Sequence, residues 1–180
     1  MLRIAIQKSG RLFEDSVALL RDAGISFSSG SSRLRAQADN FPMEIIFLRD
    51  DDIPEYVEEG VVDAGIVGEN VILEKQKTVR TVERLGFGKC RLCIAMPKNS
   101  HYQGIQSLEN LRIATSYVRV LEHFLKTKNI RADIHEISGA VEIAPSLGLA
   151  DAIFDIVSTG STLLANGLRE VETVLVSEAL

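Results

Sequence analysis

The chain has 180 residues, of which 46% are apolar and 25% are charged, a balance typical of an ordinary soluble globular protein. The formal net charge of −5 argues against a nucleic-acid binder, although a few local cations can still hold a small phosphorylated ligand. No apolar run approaches the ~18 residues of a membrane span, and the amino-terminal MLRIAIQKSGRL is too short in apolar residues for a secretory signal. We therefore expect a cytoplasmic protein with no membrane or nucleic-acid partner.

Strand and helix patterns alternate through the first half of the chain. The predicted strands are LRIAI (2–6), MEIIFL (43–48), VDAGIVG (62–68) and two strands within 79–97 that Gly86-Phe87-Gly88 separates. The predicted helices are GRLFEDSVALLRDAG (10–24), a helix that opens at Asp50-Asp51-Asp52-Ile53-Pro54, and ENVILEK after the third strand. This alternation favours parallel βαβ units.

The same rhythm continues from about residue 105. The predicted strands are LRIAT (111–115), ADIHEI (132–137), ADAIFDIV (150–157) and VETVLVS (171–177), and the predicted helices are YVRVLEHFLKTKN, AVEIAPSLGLA and STLLANG. We expect an α/β protein of two lobes, 1–90 plus 171–180 and 91–170, joined by crossing strands near 88–95 and 169–173. A cleft between such lobes would be a natural ligand site.

Cys90 and Cys93 form a CxxC pair within a predicted strand. Redox and zinc sites use this spacing, but no second cysteine pair exists, and strand positions three apart point to opposite faces. We expect both to be buried, reduced thiols.

The segment DIVSTGST (155–162) carries the strongest functional signal. Asp155 lies near the carboxyl end of a predicted buried strand, where open α/β sheets bind ligands. The backbone amides of Ser158 to Thr162, the hydroxyls and the helix that follows would suit a phosphate monoester, and Gly160 allows close approach or positive φ. The alternative is that Ser161 or Thr162 simply caps the helix, but capping requires one hydroxyl rather than four.

Two acids precede this segment in GAVEIAPSLGLAD (139–151). Glu142 or Asp151 could accept hydrogen bonds from ribose hydroxyls, although solvated helix acids are the commoner explanation. Near the amino terminus, IQKSGRL (6–12) places Lys8 and Arg11 around Ser9-Gly10 between a strand and a helix. That turn is either a second anion site or a helix start that Ser9 caps, with the cations solvated.

A third cluster lies in residues 47–70. Arg49 at a strand end could bind phosphate bidentately, whereas Asp50 to Asp52 are interpreted as a solvated helix start more readily than as metal ligands. Glu69 follows Gly68 in another strand-to-helix turn. The three histidines, at 101, 123 and 135, show no metal spacing and are expected to be structural.

Taken together and in order, these segments resemble the catalytic core of ATP phosphoribosyltransferase, the first enzyme of histidine biosynthesis. The resemblance is carried by IQKSGRL, RDDDIP, VVDAGIVGENV, LGFGKCRL, LRIATSY, GAVEIAPSLGLADAI and DIVSTGSTL, which together cover essentially the whole chain. It implies a two-lobed fold like that of type II periplasmic solute-binding proteins, with a central cleft. It also implies transfer of phosphoribosyl from phosphoribosyl pyrophosphate to N1 of ATP, with Mg²⁺ and release of pyrophosphate.

The resemblance also implies roles for individual residues, with metal ligands left unassigned. The donor would be bound by Glu142, Asp155, Ser158, Thr159, Gly160, Ser161 and Thr162. The nucleotide or pyrophosphate would be bound by Lys8, Ser9, Gly10, Arg11, Arg49 and Glu69, and catalysis would depend on Lys8, Arg49 and Asp155. No general base is identified, and adenine N1 is nucleophilic without one.

The family implies further partners. Its members form dimers or hexamers, and we expect a homo-oligomer. QKSGRL and RDDDIP resemble the long form, which carries a histidine-binding regulatory domain, but we expect no such domain in a chain that ends at Leu180. The short form uses a separate regulatory subunit, which is an alternative here. Val118 also departs from the proline of many relatives, and we expect it to change the helix entry rather than the chemistry.

Two other interpretations stay open at this point. One is a non-catalytic solute-binding or ligand-sensing module, because a fold does not determine a function. The other is a different phosphoribosyltransferase, because a Thr-Gly-x-Thr turn after an acid suits any phosphoribosyl donor.

Overall fold

The computed structural model describes residues 1–28 and 34–180, which form two compact units. The first unit contains Met1–Lys89 and Glu178–Leu180, and the second contains Cys90–Ser177. The sequence predicts that the first lobe resumes at residue 171. Instead, strand β9 (Leu168–Ser177) pairs with strand β5 (Cys90–Pro97) over its whole length, which keeps residues 171–177 in the second unit.

The first unit is built on a mainly parallel four-stranded sheet. Its elements are β1 (Leu2–Gln7), α1 (Arg11–Asp22), β2 (Arg35–Gln37), β3 (Met43–Leu48), a 3₁₀ helix (Asp50–Asp52), α2 (Ile53–Glu58), β4 (Ala64–Gly65) and α3 (Glu69–Lys75). The strand order is β2-β3-β1-β4, with β1 parallel to β3 and β4 and with β2 antiparallel to β3.

Both faces of this first sheet are covered. Val17 and Leu20 of α1 belong to the same apolar cluster as Ile6 of β1. On the other face, Ile46 of β3 belongs to a cluster with Ile53 of α2. Because the faces are buried, the polar side chains that follow the strands gather at the carboxyl edge of the sheet.

The second unit contains a five-stranded mixed sheet. Between β5 and β9 lie a 3₁₀ helix (Ile105–Leu108), β6 (Arg112–Thr115), α4 (Val118–Lys128), β7 (Asp133–Glu136), a 3₁₀ helix (Val141–Ile143), β8 (Ala152–Val157) and α5 (Ser161–Ala165). The strand order is β7-β6-β8-β5-β9, in which β6 is parallel to β7 and β8, and β5 is antiparallel to both neighbours. Leu92 and Phe154 are buried on one face and Cys93 and Ile153 on the other.

Three local predictions differ from the structure. Residues 77–89, all of them described, contain no strand, because no neighbouring strand pairs with Val79 or Val82. The helix predicted from residue 140 is only the 3₁₀ helix Val141–Ile143, and the short edge strand β2 has no counterpart among the predictions.

Cys90 and Cys93 are both free, as expected, but only Cys93 is fully buried. Burial raises the pKa of the Cys93 thiol to about 12, so it stays protonated at neutral pH. In residues 1–28 and 34–180, no helix has the length and apolarity that crossing a bilayer requires.

Candidate functional site

Lys8 and Arg49 lie next to each other at the carboxyl edge of the first sheet. β1 and β3 run in parallel register up to Gln7↔Leu48, and the Lys8 amide donates to the Leu48 carbonyl at 2.8 Å. Both cationic side chains are exposed. The structure therefore brings together two of the sequence-predicted anion-binding residues through the pairing of adjacent strands.

The turn between β1 and α1 leaves its amides available. Gly10 precedes α1 with φ of 90°, a conformation that a side chain would strain, and no side-chain hydrogen bond caps the helix among the described residues. The alternative in which Ser9 caps this helix is therefore wrong. Ser9, Gly10 and Arg11 are exposed, and the first-turn amides can meet an anion.

The acids after Arg49 form a short helix. Asp50 to Asp52 form the 3₁₀ helix, without a side-chain capping bond in the described part of the chain, and Asp51 pairs with Lys75 at 3.3 Å. This arrangement agrees with the solvated helix start that the sequence favours.

Glu69 has a structural partner that the sequence did not reveal. Arg84 donates to both of its carboxylate oxygens, at 2.6 and 3.0 Å, and also to Glu178 at 3.2 Å. These acids raise the pKa of Arg84, and the contact ties α3 to the carboxyl-terminal residues. The predicted role of Glu69 at the nucleotide stays a prediction beside this ion pair.

The loop after β8 has the geometry of an anion-binding turn. β8 ends at Val157, Gly160 adopts the left-handed conformation with φ of 79°, and α5 begins at Ser161. The Thr159 and Ser161 hydroxyls lie 3.0 Å apart. No side-chain cap is found on α5 among the described residues, so the helix-cap interpretation of these hydroxyls is wrong.

All the hydroxyl-bearing residues of this loop face solvent. The exposed positions are Ser158, Thr159, Ser161 and Thr162. Their hydroxyls and the first-turn amides of α5 are hydrogen-bond donors for a phosphate oxygen. We name residues 158–162 the strand-end loop.

Asp155 lies two residues before β8 ends and carries a perturbed carboxyl group. Burial raises the pKa of Asp155, and the nearby negative charge of Glu142 raises it further. The Ile156 amide donates a hydrogen bond to Asp155 Oδ1 at 2.7 Å, which acts in the opposite direction and lowers the pKa. The ionised carboxylate is therefore held in a site short of hydrogen-bond donors. A ligand with hydroxyl groups or a cation would relieve this.

Asp151, the other acid that the sequence offers for a ribose, has a different role. Arg112 donates to Asp151 from Nη2 at 2.8 Å, from Nε at 3.1 Å and from its backbone amide at 2.9 Å. This pair lies at the amino end of β6 and β8, the opposite edge from the strand-end loop. Asp151 is thus a structural residue.

Sequence reasoning missed two features at the carboxyl edge of the second sheet. The Tyr117 amide donates to the buried Thr115 hydroxyl at 2.8 Å, which fixes the turn after β6. Arg91 of β5 also reaches this edge, because β5 runs antiparallel and pairs Arg91 with Val157. Its position within LGFGKCRL is the signal that could have drawn attention to it.

The sheet topology defines the class of protein: an α/β protein with a periplasmic-binding-protein-like fold. A substrate binding protein of an amino acid ABC transporter aligns over 99% of this chain and 84% of its own, with a TM-score of 0.60. At 13% identity this similarity supports the fold alone. The predicted fold class is confirmed.

More specific similarities establish the family. A family model described as HisG: ATP phosphoribosyltransferase matches residues 49–180. A chain of the ATP phosphoribosyl transferase (HisG:HisZ) complex from Thermotoga maritima aligns with a TM-score of 0.84 and 31% identity, over 99% of this chain and 85% of that chain. The chain therefore belongs to the ATP phosphoribosyltransferase family, as its motifs indicate.

A curated relative shows how much of such a protein this chain spans. The ATP phosphoribosyltransferase of Cytophaga hutchinsonii is 59% identical over 180 residues, which are all of this chain but 63% of that protein. The similarity covers both units and the strand-end loop.

Proposed function

We propose that this chain carries the catalytic core of an ATP phosphoribosyltransferase. The reaction transfers the phosphoribosyl group of phosphoribosyl pyrophosphate to N1 of ATP, giving N1-(5-phosphoribosyl)-ATP and pyrophosphate, and begins histidine biosynthesis. The observation that carries the proposal is the strand-end loop, in which a left-handed glycine, exposed hydroxyls and first-turn amides follow a half-buried carboxylate.

In this proposal the strand-end loop binds the 5-phosphate of the donor. The amides and hydroxyls of residues 158–162 donate to phosphate oxygens, and the donor's ribose hydroxyls donate to Asp155 and Glu142. Because hydrogen bonds to a carboxylate favour its ionised form, donor binding would offset the burial that raises the pKa of Asp155.

The first unit supplies positive charge. Lys8, Arg11 and Arg49 are exposed, and Lys8 and Arg49 are adjacent at the strand ends. We assign them to phosphate groups of ATP or of the leaving pyrophosphate, whose negative charge grows in the transition state. Adenine N1 carries its own lone pair, so no protein nucleophile is needed.

Mg²⁺ fits the proposal as a partner of substrate phosphates. The ion is usually held through one or two carboxylates and phosphate oxygens. Asp155 provides such a carboxylate, and the negative charge of nearby Glu142 contributes to the raised pKa of Asp155. Within the described residues, the closely clustered acids are Glu55, Glu58 and Glu59, but Lys77 pairs with the first two. When bound, the ion would neutralise charge on the leaving pyrophosphate.

Location and partners follow from the same proposal. An enzyme that uses ATP and phosphoribosyl pyrophosphate belongs in the cytoplasm. The Thermotoga maritima relative is described as a HisG:HisZ complex. By analogy, we propose that this chain assembles with further copies of itself or with a regulatory subunit.

Ligand-dependent unfolding tests the proposal. Phosphoribosyl pyrophosphate with Mg²⁺, at 100 times its Kd, should stabilise the chain by ~2.7 kcal/mol, which raises Tm by about 5–10 °C. ATP should also stabilise it, whereas free amino acids and sulfonates, the ligands expected of a solute-binding protein, should not. Stabilisation by an amino acid but not by the phosphoribosyl donor would refute the proposal.

A further inference from the structure

Arg91 and Glu170 form an oriented ion pair beside the strand-end loop. Arg91 donates from Nη2 to Glu170 Oε2 at 2.8 Å and from Nε to the two carboxylate oxygens at 3.1 and 3.2 Å. The Thr173 hydroxyl donates to Glu170 Oε1 at 2.7 Å. Two groups on β9 thus restrain the guanidinium: the Glu170 carboxylate directly, and the Thr173 hydroxyl through that carboxylate.

The remaining arm of this guanidinium faces the loop. Nη1 of Arg91 lies 3.5 Å from the carbonyl oxygen of Ser158, the first residue of the strand-end loop. The approach follows from the topology, because β5 starts where β8 ends and Arg91 pairs with Val157. The Arg91 side chain is 35% exposed and the Glu170 side chain 28% exposed, so water screens the pair only in part.

This contact sets the direction of a donor that the loop needs. In a trans peptide the carbonyl of one residue and the N–H of the next point in opposite directions. An arginine that holds the Ser158 carbonyl toward β5 therefore turns the Thr159 N–H away from β5. An amide whose direction is fixed before binding loses less entropy when it meets a phosphate.

We propose that Arg91, oriented by Glu170, is a positioning residue that holds the strand-end loop in its phosphate-binding conformation. The inference rests on the proposed function, since it concerns the same donor site. Arg91 acts through the Ser158 carbonyl and not as a direct phosphate ligand, and Glu170 already neutralises its charge.

Removing Glu170 separates positioning from simple charge attraction. If Arg91 attracted the phosphate by charge, Glu170→Gln would free that charge and tighten donor binding. If Arg91 positions the loop, Glu170→Gln leaves the guanidinium without a fixed orientation and weakens donor binding. Arg91→Lys keeps the charge but not the fork that contacts a carboxylate and a carbonyl together, so it should restore little.

The second sheet offers a matched control in Arg112. Arg112 makes a similar two-point pair with Asp151, and its Nη1 donates to a turn carbonyl, that of Gly148, at 2.9 Å. It lies at the opposite edge of the sheet. Arg112→Gln therefore removes an equivalent ion pair without touching the strand-end loop.

The experiment is calorimetric titration of the whole chain with phosphoribosyl pyrophosphate and Mg²⁺. We expect Kd to rise about tenfold in Arg91→Gln and severalfold in Glu170→Gln, the range for loss of a charge-assisted hydrogen bond. Arg112→Gln should stay within about twofold of wild type, a difference well below one such bond. With the donor bound, amide hydrogen exchange of Thr159 should be faster in Arg91→Gln than in wild type, because weaker binding protects this amide less, and it should be unchanged in Arg112→Gln.

The outcomes distinguish the inference from the function on which it rests. If the wild-type chain binds the donor and folded Glu170→Gln binds it more tightly, or Arg91→Gln and Arg91→Lys bind it unchanged, the positioning role is refuted. A wild-type chain that does not bind the donor would refute the proposed function itself, and the inference with it.

Discussion

Gly160→Val is the substitution that examines the strand-end loop most sharply. Gly160 has φ of 79° and ψ of −2°, and a β-branched residue in this left-handed region is a steric outlier. An added Cβ would meet Val157 Cγ1 at 3.9 Å, an ordinary contact, so the cost is backbone strain and not crowding. Strain of this kind costs about 1–3 kcal/mol if the backbone keeps its conformation.

Gly167→Val provides the same strain outside the loop. Gly167 belongs to the same unit, follows α5 with φ of 68°, and has nothing within 4 Å of an added Cβ. Both variants should lose a similar amount of unfolding free energy, measured by chemical denaturation. Only Gly160→Val should weaken binding of phosphoribosyl pyrophosphate, by at least about tenfold, or ~1.4 kcal/mol, in calorimetry. A folded Gly160→Val chain that binds the donor like wild type would refute the phosphate assignment.

Three further predictions follow from the geometry and the charges. Asp155→Asn should raise Tm at neutral pH while abolishing turnover, because it removes a carboxylate that burial and Glu142 destabilise. The raised pKa of Asp155 means that the wild-type chain regains stability as this carboxylate is protonated, so the Tm gain of the variant should vanish as pH falls toward 3.8. A gain in Tm that does not depend on pH would contradict this prediction. Arg91 lowers the pKa of Glu170 from 4.5 to about 2, so the stabilisation by this ion pair is present above pH 4.5 and is lost as pH falls toward 2. The unfolding free energy of Glu170→Gln should therefore depend less on pH between 4.5 and 2 than that of wild type. The same pH dependence in both proteins would argue against the ion pair. Arg49→Ala should slow turnover at least about tenfold with less than about 0.5 kcal/mol lost in stability, and normal kinetics would remove Arg49 from the site.

The strand-end loop could be predicted because its signals are local. The end of an apolar strand, a carboxylate, a glycine and four hydroxyls are all contained in residues 155–162, and the structure arranges them as a strand end, a turn and a helix start. The proximity of Lys8 to Arg49 was predictable for a related reason. Parallel neighbours end at the same edge of a sheet, so strand alternation alone brings the two together.

The features that escaped prediction depend on distant partners. Glu69 is paired by Arg84 and Asp151 by Arg112, and no sequence period links the members of either pair. The segment around Val79 and Val82 has strand-forming residues but no neighbouring strand, and a strand is stable only when it is paired. The boundary at residue 171 was wrong for the same reason, since the partner of β9 is β5.

Product formation is the most direct test of whether this chain transfers phosphoribosyl to ATP. The folded chain is incubated with ATP, phosphoribosyl pyrophosphate and Mg²⁺, with pyrophosphatase present to remove pyrophosphate. The nucleotides are then separated by chromatography and identified by mass spectrometry. We expect N1-(5-phosphoribosyl)-ATP only when both substrates are present, and none with Asp155→Asn. If the folded wild-type chain forms no such product, the transferase function is refuted. If Asp155→Asn forms it undiminished, the role of Asp155 is refuted.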